Sequence, residues 1–152
     1  MTITIDYYFG PQSPWTYLGH QRLGELARAA GAEIHVRPVD MGRVFAVSGG
    51  VQLKDRPKQR QAYRLVELAR FRDHLKLPLN LHPKYFPVVP TMASKLIIAV
   101  QMALGDQLAF KVAGELMSAV WAQERDIADR QTLGQVLSEL NLSAEYLDQA
   151  ES

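Results

Sequence analysis

One serine lies where strand-to-helix geometry could give it a chemical role. Ser13 follows Gly10 and Pro11, which end a β-type segment, and it directly precedes Pro14. Serine caps free backbone amides and proline suits the first helical position, so a helix is predicted to begin here. The unpaired amides and the positive end of the helix dipole favour an anion or a thiolate at this point. The Ser13 hydroxyl could lower the pKa of a bound thiolate; the alternative is that it only caps the helix.

The other polar residues carry weaker signals. The four histidines have no shared metal-ligand spacing and are interpreted as packed or surface side chains. The aspartates fit capping and surface roles better than a paired acid and base. The chain contains no cysteine, which excludes thiolate nucleophiles, thiolate metal sites and dithiol redox chemistry within it.

Composition predicts one globular domain of ordinary character. The chain has 152 residues, of which 47% are hydrophobic and 22% are charged. A formal net charge of +1 predicts no strong field, so neither nucleic acid nor an anionic membrane is an expected partner. The amino terminus lacks the pattern of a signal peptide, and no apolar run approaches the ~20 residues that span a bilayer. We therefore expect a cytoplasmic protein.

The elements that must position Ser13 form a βαβ unit. Residues 3–9 are rich in β-branched and aromatic types and predict a buried strand. The helix that begins at Ser13 is predicted to continue to about Ala30, where Gly31 ends it. The spacing of apolar residues over 32–39 predicts a second strand. A strand, a helix and a strand joined by short links predict a parallel pair with a right-handed crossover.

The rest of the sequence is mainly helical in pattern. Residues 41–56 show no clear period and predict a loop. Thr91 and Ser143 are predicted helix caps. Further helices are predicted over residues 59–75, 91–104, 107–123, 130–140 and 143–149.

The predicted domain covers residues 1–152, with a βαβ half over 1–40 and a mostly helical part over 41–152. Two parallel strands alone expose both edges and do not form a stable sheet. We therefore expect further strands, supplied either after Ser152 or by another chain.

The turn around Ser13 resembles a known active site. Ser13-Pro14, with Trp15 and Tyr17-Leu18, is similar to the active-site turn of 2-hydroxychromene-2-carboxylate isomerases and of kappa-class glutathione transferases. Further segments match in the same order along the chain: Arg37-Pro38, Ser48-Gly49-Gly50, Tyr63, Glu67-Leu68, Arg70-Phe71, Leu77-Pro78-Leu79, Ala93 to Val100, Val120-Trp121 and Asp126-Ile127. The resemblance implies an α/β fold of DsbA-like type, in which a thioredoxin-like βαβ unit carries a large helical insertion. The chain is expected to lack the carboxyl-terminal strands of that sheet.

The resemblance also implies roles for four residues. Ser13 would replace the redox cysteine of thioredoxins and hydrogen-bond the sulfur of glutathione. Arg60 would help to hold the tripeptide, the alternative being a solvated surface charge. Gly50 stands where the kappa transferases carry an asparagine that contacts glutathione, so it could offer only its backbone. Trp15 would form a wall of the substrate pocket, although a packing role explains it equally well.

The implied activity is a glutathione-dependent isomerisation in aromatic degradation. It interconverts 2-hydroxychromene-2-carboxylate and trans-o-hydroxybenzylidenepyruvate, a small aromatic substrate and its product, in a homodimeric enzyme that does not consume glutathione. Gly10 and Pro11 depart from the acidic and aromatic residues that these families usually carry there, which bears on the substrate more than on the fold. A kappa-like glutathione transferase and a non-catalytic binding protein of the same fold are the alternatives.

Overall fold

Two parallel strands joined by one helix form the amino-terminal part of the molecule. In a computed structural model, which describes residues 2–152, β1 (Ile3–Phe9) and β2 (Ala32–Pro38) pair in parallel, and α1 (Pro14–Ala30) connects them. Proline at the first helical position suits the start of α1. Gly31 ends α1 at φ 62°, a left-handed conformation that glycine adopts without a steric penalty. The predicted βαβ unit is confirmed.

The sheet has one buried face and one polar face. Phe9 and Val36 point into the core and are 2% and 1% exposed. On the opposite face, Asp6 Oδ1 lies 3.5 Å from His35 Nδ1 and 3.4 Å from Arg37 Nε, both on β2. Ion pairs as exposed as these contribute little to stability. The sheet is therefore stabilised mainly by the apolar side chains of its buried face.

Side chains close the outer edge of β2. The carboxylate Oδ1 of Asp106 accepts from Val36 N at 2.7 Å, and Gln101 Nε2 donates to Val36 O at 2.9 Å. Gln101 Nε2 also donates to Asp106 Oδ1 at 2.6 Å, which ties the two side chains together. We call Asp106 and Gln101 the edge clamp. It satisfies backbone groups that a third strand would otherwise pair.

Six further helices follow within residues 2–152, and five of them match predicted segments to within a few residues. Their bounds are α2 (Met41–Ser48), α3 (Lys58–Leu75), α4 (Thr91–Leu104), α5 (Asp106–Trp121), α6 (Arg130–Glu139) and α7 (Glu145–Glu151). The predicted cap at Thr91 was wrong, because α4 already begins at this residue and Pro90 precedes it without a side-chain cap. Ser143 does cap the start of α7: it lies one residue before Ala144, and its Oγ accepts from Glu145 N at 3.3 Å.

The prediction of a loop over residues 41–56 was also wrong, since α2 and a short 3₁₀ turn occupy much of it. Asp40 caps α2: its Oδ1 accepts from Gly42 N at 2.9 Å and from Arg43 N at 3.2 Å. Gly49 ends the helix at φ 73°. The cap and the terminal glycine were visible in the sequence, but a helix of only eight residues shows no clear apolar period.

The core lies between the sheet and helices α1, α4, α5, α6 and α7. Its largest fully buried side chains are Trp121, Leu68, Leu96, Ile97, Leu116, Met117, Ile127, Leu133, Leu137 and Leu147. Burial of apolar area is worth roughly 25 cal/mol per Å², so this cluster is the main source of stability. None of the helices described within residues 2–152 is long and apolar enough to cross a membrane.

Candidate functional site

Ser13 occupies the N-cap of α1 with extended backbone angles, φ −77° and ψ 127°. Its Oγ accepts from Thr16 N at 3.3 Å, a long contact that uses only a lone pair. The hydroxyl hydrogen therefore stays available to a ligand. The two interpretations of Ser13, a helix cap and a hydrogen-bond donor, are thus compatible.

The first turn of α1 leaves one amide open beside this hydroxyl. Pro14 has no N–H, Thr16 N donates to Ser13 Oγ, and Tyr17 N donates to Ser13 O at 3.1 Å. No acceptor is assigned to Trp15 N within residues 2–152. The Ser13 hydroxyl, the Trp15 amide and the positive end of the helix dipole together favour a negative charge here.

The turn before Ser13 is fixed from both sides. Ser13 N donates to Gly10 O at 3.0 Å, and the indole Nε1 of the buried Trp121 donates to Gln12 O at 3.2 Å. A Cβ at Gly10 would lie 2.9 Å from Gln12 Oε1, a buried atom with no hydrogen-bond partner among the described residues. Because Trp121 ends α5, the helical part of the chain holds the turn in position.

Ser13 borders a cavity of about 730 Å³ between the start of α1, α2 and α4. Four charged side chains reach this main cavity: Asp40, Arg56, Arg64 and Lys95. The apolar part of its wall includes Phe9, Met41, Phe45, Phe86, Val88 and Ile98. Sites for small organic ligands are commonly apolar with a few polar groups, and this cavity fits that description.

The other predicted site residues surround the same region without sharing one cavity. Trp15 borders the main cavity and is 38% exposed, with its ring at 88° to that of Phe71 and the centroids 5.9 Å apart. Arg60 lies in a smaller cavity of about 370 Å³ on the far side of Trp15. Trp15 and Arg64 border both cavities, so Arg60 is next to the main cavity rather than inside it.

Gly50 lies farther from Ser13, in a shallow depression of about 290 Å³ beside α2. A Cβ at this position would be 2.5 Å from Cδ1 of the Phe45 ring. An asparagine there would displace Phe45, which also lines the main cavity. The glycine is therefore explained by packing, and a role for it in binding glutathione stays a prediction.

Arg64 is a residue of the site that sequence reasoning missed. It follows Arg60 by one helical turn on α3, a spacing that puts both side chains on one side of the helix. Its guanidinium carbon lies 5.5 Å from the ring centroid of Phe86 and 5.9 Å from that of Trp121. The i, i+4 pair was the only available signal, because the aromatic partners come from distant parts of the chain.

Comparison with known proteins agrees with this architecture. Residues 4–152 match the DSBA-like thioredoxin domain family. The chain belongs to that family. A 2-hydroxychromene-2-carboxylate isomerase from Pseudomonas putida is 34% identical over 82 residues, which cover 53% of this chain and 40% of that protein. One from Sphingobium xenophagum is 43% identical over 49 residues, covering 32% of this chain and 25% of that protein.

Solved structures support the same fold. A 2-hydroxychromene-2-carboxylate isomerase superposes with a TM-score of 0.77 at 24% identity, covering 99% of this chain and 72% of its own. The cytosolic disulfide reductase DsbM from Pseudomonas aeruginosa in a structure with GSH gives 0.70 at 16% identity, covering 98% of this chain and 70% of its own. The resemblance to the isomerase family and the DsbA-like thioredoxin fold are thereby confirmed. The matched segments span less than half the length of the curated relatives.

Proposed function

We propose that this domain binds glutathione and interconverts 2-hydroxychromene-2-carboxylate and trans-o-hydroxybenzylidenepyruvate. The observation that carries the proposal is the position of Ser13, whose free hydroxyl hydrogen lies beside an open helix amide at the wall of a largely apolar cavity. The names of the curated relatives support the reaction, and the absence of cysteine makes disulfide chemistry by this chain unsuitable.

The residues present fit an anionic, thiol-bearing tripeptide. The Ser13 hydroxyl and the Trp15 amide are donors suited to a thiolate. Arg56 and Arg60 both border the smaller cavity beside Trp15, and Arg56 also reaches the main cavity, so the two offer cations to the carboxylates of the peptide. When bound, glutathione supplies a nucleophilic sulfur that adds reversibly to the conjugated substrate and is released unchanged.

The protein contributes by stabilising the negative charge of the thiolate and by excluding water from the reacting atoms. The Ser13 hydroxyl donates to the sulfur and, with the positive end of α1, lowers the pKa of the thiol. The aromatic and aliphatic wall of the main cavity accepts the ring system of the substrate and shields the reacting atoms. The homodimer and the cytoplasmic location that the resemblance implies remain predictions.

The test is a calorimetric titration of the protein with reduced glutathione, run with two variants of Ser13. Ser13→Ala removes both the cap and the donor, whereas Ser13→Asp keeps a capping oxygen and brings a carboxylate that repels the thiolate. We expect roughly 10- to 100-fold weaker binding in both variants, since a hydrogen bond to a charged group is worth roughly 1.5–3 kcal/mol. Ser138→Ala, an exposed change on α6, is the matched control.

A Ser13→Asp variant that folds normally and binds glutathione as tightly as the wild type would refute the proposed site. Thiol concentration is then followed during turnover. A constant concentration supports the isomerase, and consumption of the thiol points to the transferase alternative.

A further inference from the structure

Arg64 is a partly buried cation with no anionic partner among residues 2–152. Its guanidinium lies against the rings of Phe86 and Trp121, between the main cavity and the smaller cavity beside Trp15. Among residues 2–152, no carboxylate pairs with Arg64 and no acceptor for its N–H groups is assigned. Guanidinium groups withdrawn from water are normally paired, so this one has unused hydrogen-bonding capacity.

Positive charges outnumber negative charges on the wall of the main cavity. Burial lowers the pKa of Arg64, and the positive charge of Arg56 lowers it further. Lys95 brings a third cation to the main cavity, and the only carboxylate on its wall is that of Asp40. Asp40 is engaged at the start of α2, where it accepts from two backbone amides. With three positive charges and one negative charge on its wall, the cavity favours an entering anion.

The surroundings of Arg64 favour an anion attached to an aromatic ring. Phe86 borders the main cavity beside the guanidinium, Trp15 borders the same cavity, and the remaining wall is mainly apolar. A planar carboxylate accepts two parallel hydrogen bonds from a guanidinium, and the attached ring can lie against the aromatic side chains. A simple inorganic anion would use the charge of this cavity and leave its apolar wall unfilled.

We propose that Arg64 binds the carboxylate of an aromatic 2-oxo acid in the main cavity and thereby sets the specificity for acidic substrates. The inference rests on the proposed function, since it concerns the substrate of the same site. Glutathione also carries carboxylates, but Arg56 and Arg60 are the cations expected to hold them, and within the described residues Arg64 alone of these three arginines has aromatic rings against its guanidinium. We therefore assign Arg64 to the substrate.

Two ligands that differ only in the carboxylate test this assignment. Benzylidenepyruvate carries the aromatic ring, the conjugated ketone and the carboxylate, whereas benzylideneacetone has a methyl group in place of the carboxylate. Each is titrated into the wild type, Arg64→Met, Arg64→Lys and Arg70→Met without glutathione. Arg70 is exposed on α3 and borders none of the described cavities, so its substitution controls for the loss of one positive charge.

We expect Arg64→Met to bind benzylidenepyruvate roughly 10- to 100-fold more weakly than the wild type, and benzylideneacetone within about threefold. Arg64→Lys should recover part of the affinity for the acid, because it keeps the charge and loses the paired donors. Arg70→Met should resemble the wild type. Circular dichroism and thermal unfolding establish that each variant is folded.

Three outcomes would overturn the assignment. They are no binding of benzylidenepyruvate by the wild type, an equal loss of affinity for both ligands in Arg64→Met, and a loss of glutathione affinity in that variant matching the loss for the acid. Failure of the proposed function would be a different result. In that case the Ser13 variants would bind glutathione as tightly as the wild type, while Arg64→Met would still lose affinity for benzylidenepyruvate and not for benzylideneacetone.

Discussion

His20 is the only buried polar side chain among residues 2–152, and its two ring nitrogens have different partners. Nε2 lies 2.9 Å from Phe110 O and Nδ1 lies 3.1 Å from Tyr7 Oη. A carbonyl oxygen only accepts, so Nε2 carries the hydrogen and the bare Nδ1 accepts from the Tyr7 hydroxyl. The ring also stacks on Phe110 with centroids 3.8 Å apart. The imidazole is therefore held in its neutral form.

This network predicts a loss of stability in acid. Burial lowers the pKa of His20 from 6.5 to about 4, although the bond to Phe110 O opposes this. Between these values the unfolded chain binds more protons than the folded one, so the free energy of unfolding falls as the pH falls from about 6.5 to 4. The contribution at stake is roughly 3 kcal/mol at most.

The measurement is urea unfolding of the wild type, His20→Gln and His74→Gln across this pH range. We expect His20→Gln to be less stable at neutral pH and to lose less stability on acidification than the wild type. His74 is exposed on α3, so its substitution is the matched histidine control. Equal pH slopes for the wild type and His20→Gln would contradict the prediction.

At the scale of the element, the cap of α2 controls one wall of the main cavity. Met41, Gly42 and Phe45 of α2 all line it, and Asp40 supplies the only side-chain cap at the start of this helix. We expect Asp40→Ala to weaken α2 by about 1 kcal/mol, because two amides lose their acceptor. Asp40→Asn keeps a capping oxygen and is the matched control.

Hydrogen exchange at the amides of Gly42 and Arg43 measures this effect directly. Exchange should accelerate in Asp40→Ala and remain close to the wild-type rate in Asp40→Asn. Unchanged exchange in both variants would mean that α2 is held by its packing alone.

The edge clamp is the second element-scale feature with a measurable effect. Val36 N is buried and its acceptor is Asp106 Oδ1, so Asp106→Ala leaves a buried N–H without a partner. We expect a loss of roughly 1–3 kcal/mol in the free energy of unfolding. Asp106→Asn retains an oxygen for both Val36 N and Gln101 and should lose less. Urea unfolding of the two variants side by side decides this, and equal losses would contradict the role of the acceptor.

At the scale of the whole molecule, local sequence signals predicted the helices and strands but not the contacts between them. Pro14 and Gly31 marked both ends of α1, since proline and glycine act through their own backbone geometry. The position of Ser13 at the start of that helix followed from the same signals. By contrast, the contact of Arg64 with Phe86 and Trp121 depends on how α3 packs against distant segments, which no local pattern encodes.

The edge clamp decides on which side the sheet can grow. Because Asp106 and Gln101 occupy the outward N–H and C=O of Val36, a new strand beside β2 would first have to displace both side chains. Within residues 2–152, β1 pairs with β2 alone and no side chain hydrogen-bonds to its backbone. We therefore expect any additional strand, whichever chain provides it, to pair with β1. This pairing would make β1 an interior strand of the sheet instead of an edge strand. Ser13 would then follow a strand that is hydrogen-bonded on both sides, so the backbone that leads into the candidate site would be held more firmly than it is in the two-stranded sheet.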